Sequence, residues 1–232
     1  MFNSSMIAEN LKNIHQRIAS ACLRVGRNPE EVTLIAVTKT YSEQSIRDVV
    51  DAGVFDIGEN YVQELRQKHE EVRDDRIRWH FIGHLQSNKI KYVADWIHLI
   101  HTVDSLTLGQ QISKWAEKIG RTMDILVEVN TTKEESKFGA AIELAPSLVK
   151  DLAMLRGLNV KGLMTMGPFL PDPEDSRPSF IILRELKESL ESEGLRLPIL
   201  SMGMTNDFEV AINEGATMLR IGTAIFGSRI KT

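Results

Sequence analysis

Lys39 closes the run "TLIAVTK" (33–39), where apolar residues and a threonine lead straight into an ammonium group. An amine with few water neighbours and a cation nearby loses its proton more readily, because its charged form is disfavoured. The neutral amine can then attack an aldehyde and form a Schiff base. Taken alone, a lysine at a strand exit reads more simply as a snorkelling side chain. Two further groups narrow the choice. "SMGMTND" (201–207) supplies the hydroxyl of Ser201, the close backbone approach that Gly203 permits, and Thr205–Asn206 opening a short helix. Unpaired N–H groups and the helix dipole favour an anion at such a place. Gly222–Thr223 offers a second small-plus-hydroxyl pair. Each stretch alone could be a tight turn; side by side they favour a phosphate. Arg220, between Leu219 and Ile221, shares a side with Met218 and Gly222 by period-two alternation. A guanidinium inside a protein needs an anion or a ring nitrogen. The competing reading is an ion pair with Glu59 or Glu128.

The elements that must position these residues alternate regularly. Ile7, Leu11, Ile14, Ile18 and Cys22 lie on one face of an N-terminal helix that Gly26 and Pro29 stop. Strand candidates follow at 33–39, 54–60, 77–83, 96–104, 123–130, 159–167, 197–204 and 217–227, separated by helical patterns. Among these helices, Ser42–Ala52 is stopped by Gly53, one from Ser105 is closed by Gly120, and one carries Leu144, Leu148, Leu152 and Leu155. Asn206 is the expected N-cap of the short helix before the last strand. Alternation of this kind argues for a parallel sheet with right-handed crossovers. Eight units in about 200 residues suit a (β/α)8 TIM barrel with an extra N-terminal helix, in one domain spanning 1–232. An open doubly wound sheet is the rival, disfavoured because no "GxGxxG" follows the first strand. In a barrel, function gathers at the C-terminal strand ends, which is where Lys39, "GEN" with Asn60, Ser201 and Gly222 fall, and a phosphate sits after strands seven and eight.

Composition excludes several partners. A net charge of −4 among 232 residues gives no reason to expect nucleic acid or an anionic membrane surface. The single cysteine, Cys22, forbids an internal disulfide and suggests a reducing compartment. The N-terminus lacks a secretory pattern and no run reaches the roughly 18 apolar residues of a membrane span. Cytoplasmic is the expectation. His80 and His84 straddle a strand end, His98 and His101 would face opposite ways, and no "HExxH" is present, so no metal is expected.

Lysine, phosphate cradle and interior arginine together describe a pocket for a phosphorylated aldehyde, and pyridoxal phosphate (PLP) is the most economical one. Its aldehyde would join Lys39, its phosphate would lie in the 201–206 and 222–223 loops, and Arg220 would face the pyridine nitrogen. Arginine keeps its proton, so the ring nitrogen would stay unprotonated and the cofactor would be a weak electron sink. The motifs "AVTKT", "GENYVQE", "WHFIGHLQSNK", "GLMTMG", "LSMGMTNDFEVAI" and "RIGTAIFG" closely resemble the pyridoxal phosphate homeostasis proteins over essentially the whole chain. The resemblance implies a single-domain barrel like the N-terminal domain of alanine racemase. It implies that Lys39 carries PLP as an internal aldimine. Ser201, Gly222 and Thr223 would hold the phosphate, with Gly203 in the same loop; Arg220 would face the ring nitrogen and Asn60 the ring, with His80 and Met164 as further contacts. It also implies a carrier that buffers PLP for PLP-requiring apoenzymes, without an established reaction.

Racemisation needs a second acid–base group on the opposite face of the cofactor. In the racemase-like enzymes, as the resemblance implies, that is a tyrosine from another domain of the partner subunit. This sequence offers no length for such a domain, and Tyr61 is the internal candidate, more simply a surface residue. A PLP-dependent racemase using Lys39 and Tyr61 is therefore the alternative, and a Schiff-base aldolase acting on a sugar phosphate comes third. Lys133, Glu134, Glu135 and Lys137 form a polar loop that could be a solvated turn or a clasp. A monomer is the expected state.

Overall fold

The computed structural model describes residues 4–132, 138–168 and 170–227. Nine strands occur among them: β1 (Thr33–Val37), β2 (Asp56–Glu59), β3 (Arg78–Phe81), β4 (Leu99–Val103), β5 (Met123–Asn130), β6 (Ala140–Ala141), β7 (Leu158–Met164), β8 (Ile199–Ser201) and β9 (Met218–Ile221). All pairings are parallel. The order runs β4-β3-β2-β1-β9-β8-β7-β5, and β4 pairs with β5 to close the ring. The architecture is a (β/α)8 barrel. β6, a two-residue strand on the outer flank of β5, was not legible in the sequence.

Why these residues make these elements follows from patterning. β1 reads as a near-continuous apolar run because a parallel sheet is covered on both faces, whereas β2 and β3 alternate with polar residues. Outside the sheet lie α1 (Ser4–Arg24), α2 (Glu43–Asp51), α3 (Val62–Val72), α4 (Leu106–Ile119), α5 (Ala145–Ala153), α6 (Arg177–Ser192), α7 (Phe208–Asn213) and α8 (Thr223–Phe226). A 3-10 turn, Ser87–Tyr92, stands where the unit after β3 would carry a helix. The expected face of α1 is buried, with Ala21 added to it. Ser42 Oγ caps α2 by accepting from Ser45 N, and Gly120 ends α4 at φ 67°.

Three expectations need correction. Asn206 does not cap α7: its Nδ2 donates to Leu170 O, and Asp207 holds the cap position. Asp207 wins because its buried carboxylate accepts from Met204 N at 2.6 Å through Oδ1 and from Ser176 Oγ at 2.9 Å through Oδ2. Residues 217–227 are not one strand. β9 stops at Ile221, and Gly222 O accepts from Ile225 N and Phe226 N to begin α8. Leu144 precedes α5 and is exposed, whereas Leu148 and Leu152 are buried. Lys133, Glu134, Glu135 and Lys137 lie outside the described residues.

Candidate functional site

The barrel interior is set by strand parity. On β2, Asp56 and Gly58 face in; on β3, Arg78 and His80 pair beside them in register. A side chain on Gly58 would come within 2.9 Å of Ile35 Cγ2 and 3.1 Å of Ile82 Cδ1, which places those residues in the same interior layer. Leu99, Leu126 and Met164 form an apolar cluster with Met166, Ile199 and Met218. Continuing the same parity past the strand ends brings Lys39, Asn60, Gly203 and Gly222 to the C-terminal mouth.

A cavity of about 630 Å³ opens there, lined by Lys39, Asn60, Arg220, Gly222 and Thr223 among others. These five of the nine expected site residues share one cavity. Its remaining polar wall is Thr205, Asn206, Asp207 and Ser176, and its apolar wall includes Ile82, Met166 and Leu170. Thr205 is the residue that sequence reasoning placed in the loop without giving it a role. Thr223 Oγ1 donates to Thr205 Oγ1 at 3.1 Å, and Ala224 N donates to the same oxygen at 3.3 Å. A hydroxyl two residues past the Gly203 turn was the available signal.

The other four lie beneath or behind that lining. His80, Met164 and Ser201 are fully buried in the barrel. Gly203, at φ 93°, has its own packing reason: a Cβ there would approach Ala211 Cβ to 2.6 Å, so glycine lets α7 close on the β8 loop. Ser201 Oγ is turned inward, accepting from Arg220 Nη1 at 2.7 Å and meeting His101 Nδ1 at 2.9 Å.

Arg220 is the electrostatic centre. Its Nη2 donates to Thr165 O at 2.9 Å, and no carboxylate among the described residues forms a salt bridge with it. Burial lowers it to about 10, with Glu128 and Asp207 opposing, so it remains a cation at neutral pH. Glu128 is the nearest compensation the sequence suggested. Burial raises its carboxyl to about 7, Asp104 adding and Arg220 opposing. Asn60 Oδ1 is buried without a partner among the described residues. Such an atom costs free energy unless a donor reaches it.

The strand exit at Lys39 is held from outside the sheet. Lys68 Nζ donates to Thr38 O at 2.6 Å and to Glu59 Oε1 and Glu64 Oε1, each at 2.7 Å. Glu64 Oε1 also accepts from Thr40 N at 2.6 Å, where the backbone takes φ 69°. The residues on both sides of Lys39 are thus pinned. Tyr61 is 61% exposed and does not line the cavity. A separate cleft of about 240 Å³ between α3 and the 3-10 turn is lined by none of the expected site residues. No cluster of three metal-type ligands occurs among the described residues. No described helix is long and apolar enough to cross a membrane.

The family profile "Alanine racemase, N-terminal domain" matches residues 3–230. The "Pyridoxal phosphate homeostasis protein" of Aquifex aeolicus is 45% identical over 222 residues, covering 95% of this chain and 97% of that one. Among solved structures, an unknown protein from Bifidobacterium adolescentis aligns with a TM-score of 0.92 at 37% identity, covering 96% and 95% of the two chains. PipY of Synechococcus elongatus, with PLP bound, aligns with a TM-score of 0.80 at 34% identity, covering 92% and 100%. The chain therefore belongs to the alanine racemase N-terminal domain family and stands, within it, among the pyridoxal phosphate homeostasis proteins.

Proposed function

We propose that this chain, as one barrel domain, binds PLP through Lys39 and takes part in PLP homeostasis as a carrier. The observation that carries the reading is the convergence of Lys39, Asn60, Arg220, Gly222 and Thr223 on one cavity. When bound, PLP supplies an electrophilic aldehyde carbon, a ring nitrogen that accepts a hydrogen bond, and a phosphate. The residues fit those needs. Arg220 presents a guanidinium whose buried charge meets a hydroxyl and a carbonyl but no carboxylate. Asn60 has a buried oxygen in want of a donor. The hydroxyls of Thr205 and Thr223, beside the glycine at 222, can donate to phosphate oxygens once they rotate away from each other. Ser201, turned toward Arg220, serves the site by holding that guanidinium rather than through the phosphate.

Carriage is favoured over racemisation by the lining itself. Lys39 and Arg220 are the cations among the described lining residues, and the proposal occupies both. None is left to receive an amino-acid carboxylate, and Tyr61 points its exposure elsewhere. The same proposal takes the working unit as a cytoplasmic monomer that hands PLP to PLP-requiring apoenzymes. Borohydride reduction of the purified protein followed by peptide mass mapping tests it. The label is expected on Lys39 and absent from Lys39→Ala; a label carried by another residue in the wild type overturns the assignment. Sustained loss of optical activity from an added amino acid, abolished in Lys39→Ala, overturns the carrier reading.

A further inference from the structure

A continuous hydrogen-bonded chain runs through the barrel from its N-terminal end to the cavity. Arg78, half-exposed at the start of β3, donates from Nε to Asp56 Oδ1 at 2.8 Å, and Nη2 pairs with Oδ2 at 2.5 Å. His80 Nε2 lies 2.9 Å from Asp56 Oδ1, and His80 Nδ1 lies 3.0 Å from His101 Nε2. His101 Nδ1 meets Ser201 Oγ, which accepts from Arg220. Five strands contribute: β2, β3, β4, β8 and β9.

The direction of each bond in this chain follows from the charge on Asp56. Burial would raise Asp56, but hydrogen bonds from His80 and Arg78 outweigh it and hold the carboxyl at about 2. Asp56 is therefore an acceptor, and His80 Nε2 carries the proton. Burial lowers His80 and lowers His101 well below the ordinary imidazole range, so each ring is neutral with one N–H. His80 Nδ1 must then accept from His101 Nε2–H, and His101 Nδ1 must accept from the Ser201 hydroxyl. Arg220 can only donate. All the dipoles thus point from the cation at the cavity toward the carboxylate at the far end. The groups facing His101 are His80 of β3, Ser201 of β8 and Arg220 of β9, with His98 just before β4 and Glu128 of β5 acting on Arg220.

We propose that His80 and His101 are positioning residues that, with Ser201 and Asp56, hold the Arg220 guanidinium in one orientation toward the ligand cavity. An isolated ion pair would neutralise Arg220 locally. A relay ending on a distant carboxylate fixes its plane and leaves its charge to the ligand. The inference rests on the proposed function for the identity of that ligand, not for the relay itself.

The test uses full-length protein with ¹⁵N-labelled histidine, first without ligand and then with PLP. In the wild type, both rings are expected as neutral Nε2–H tautomers from pH 7 to 8. A Nδ1–H form, or protonation of either ring in that range, overturns the relay. In Asp56→Asn the far charge is gone, and tautomers are expected to mix at His101, two residues along the chain. PLP affinity is expected to fall about tenfold, as for loss of a group that orients a ligand-binding residue. Unchanged tautomers with unchanged affinity overturn the role of the chain. His80→Gln makes the same interruption and reads the same signals at His101 should Asp56→Asn not fold. Wild-type rings as expected but no PLP binding would support the relay and sink the ligand.

Discussion

Among the described residues, two cations are buried in this barrel, Lys68 and Arg220, on opposite sides of its sheet. Lys68 lies outside, between β2 and α3, and touches two carboxylates and a carbonyl. Arg220 lies inside and touches a hydroxyl and a carbonyl. Taking either charge out of water costs several kcal/mol before compensation. Lys68 recovers that cost locally, so its task ends with the fold: it secures the turn that presents Lys39. Arg220 touches no carboxylate and is balanced through space by Glu128 and Asp207, so its field still reaches the cavity. The contrast teaches how a barrel separates a structural charge from a functional one.

Several substitutions can break this contrast. Lys68→Met strands Glu59 and Glu64 in a buried site, and is expected to cost about 3–5 kcal/mol of stability by urea denaturation. Urea stability should meanwhile vary with pH through Glu128, the carboxyl that could make Arg220 resemble Lys68. Its pKa is raised from 4.5 to about 7, so the folded state holds its proton more tightly. The resulting stabilisation is complete below about pH 4.5 and is lost as pH rises through 7, on the order of 3 kcal/mol. Glu128→Gln is expected to flatten the curve in that window, and an unchanged slope would remove Glu128 from the account. Arg220→Met removes a charged hydrogen-bond donor, worth about 1.5–3 kcal/mol. PLP affinity is expected to fall roughly ten- to hundredfold by that measure, with urea stability nearly unchanged; a stability loss like that of Lys68→Met would erase the distinction. Thr223→Val removes one neutral hydroxyl, and fluorescence titration is expected to show a loss of about 1 kcal/mol. Tyr61→Phe should leave PLP affinity where it was.

Period-two alternation made much of this legible. It put Arg220 inside, while the end of an apolar run set Lys39 at a strand exit and spacings of three and four assigned the buried face of α1. Alternation along one strand says nothing about which residues of different strands stand at the same height. The Asp56–His80–His101–Ser201–Arg220 chain needs the registers of five strands, and no single stretch announces it. The resemblance implies a cofactor contact for His80, and the structure turns its two ring nitrogens to Asp56 and His101. Short elements were the other weak point. β9 and α8 lie in one mostly apolar stretch, and the backbone at Gly222 separates them. Asn206 and Asp207 are both good caps by type, and the choice depended on Ser176, 31 positions away.

One small element ties the two ends of the molecule together. α8 has four residues, too few to persist alone, and it is gripped by distant partners. Asn10 Nδ2 donates to Ile225 O at 2.8 Å, Tyr41 stacks on Phe226 with ring centroids 4.4 Å apart, and the Tyr41 hydroxyl donates to Gly227 O at 3.0 Å. The turn at Gly222–Thr223 is therefore braced by α1 and by the exit of β1, through contacts of long sequence separation. Its footing is set far away in sequence, so loosening Asn10 or Tyr41 would be felt at the Gly222–Thr223 turn.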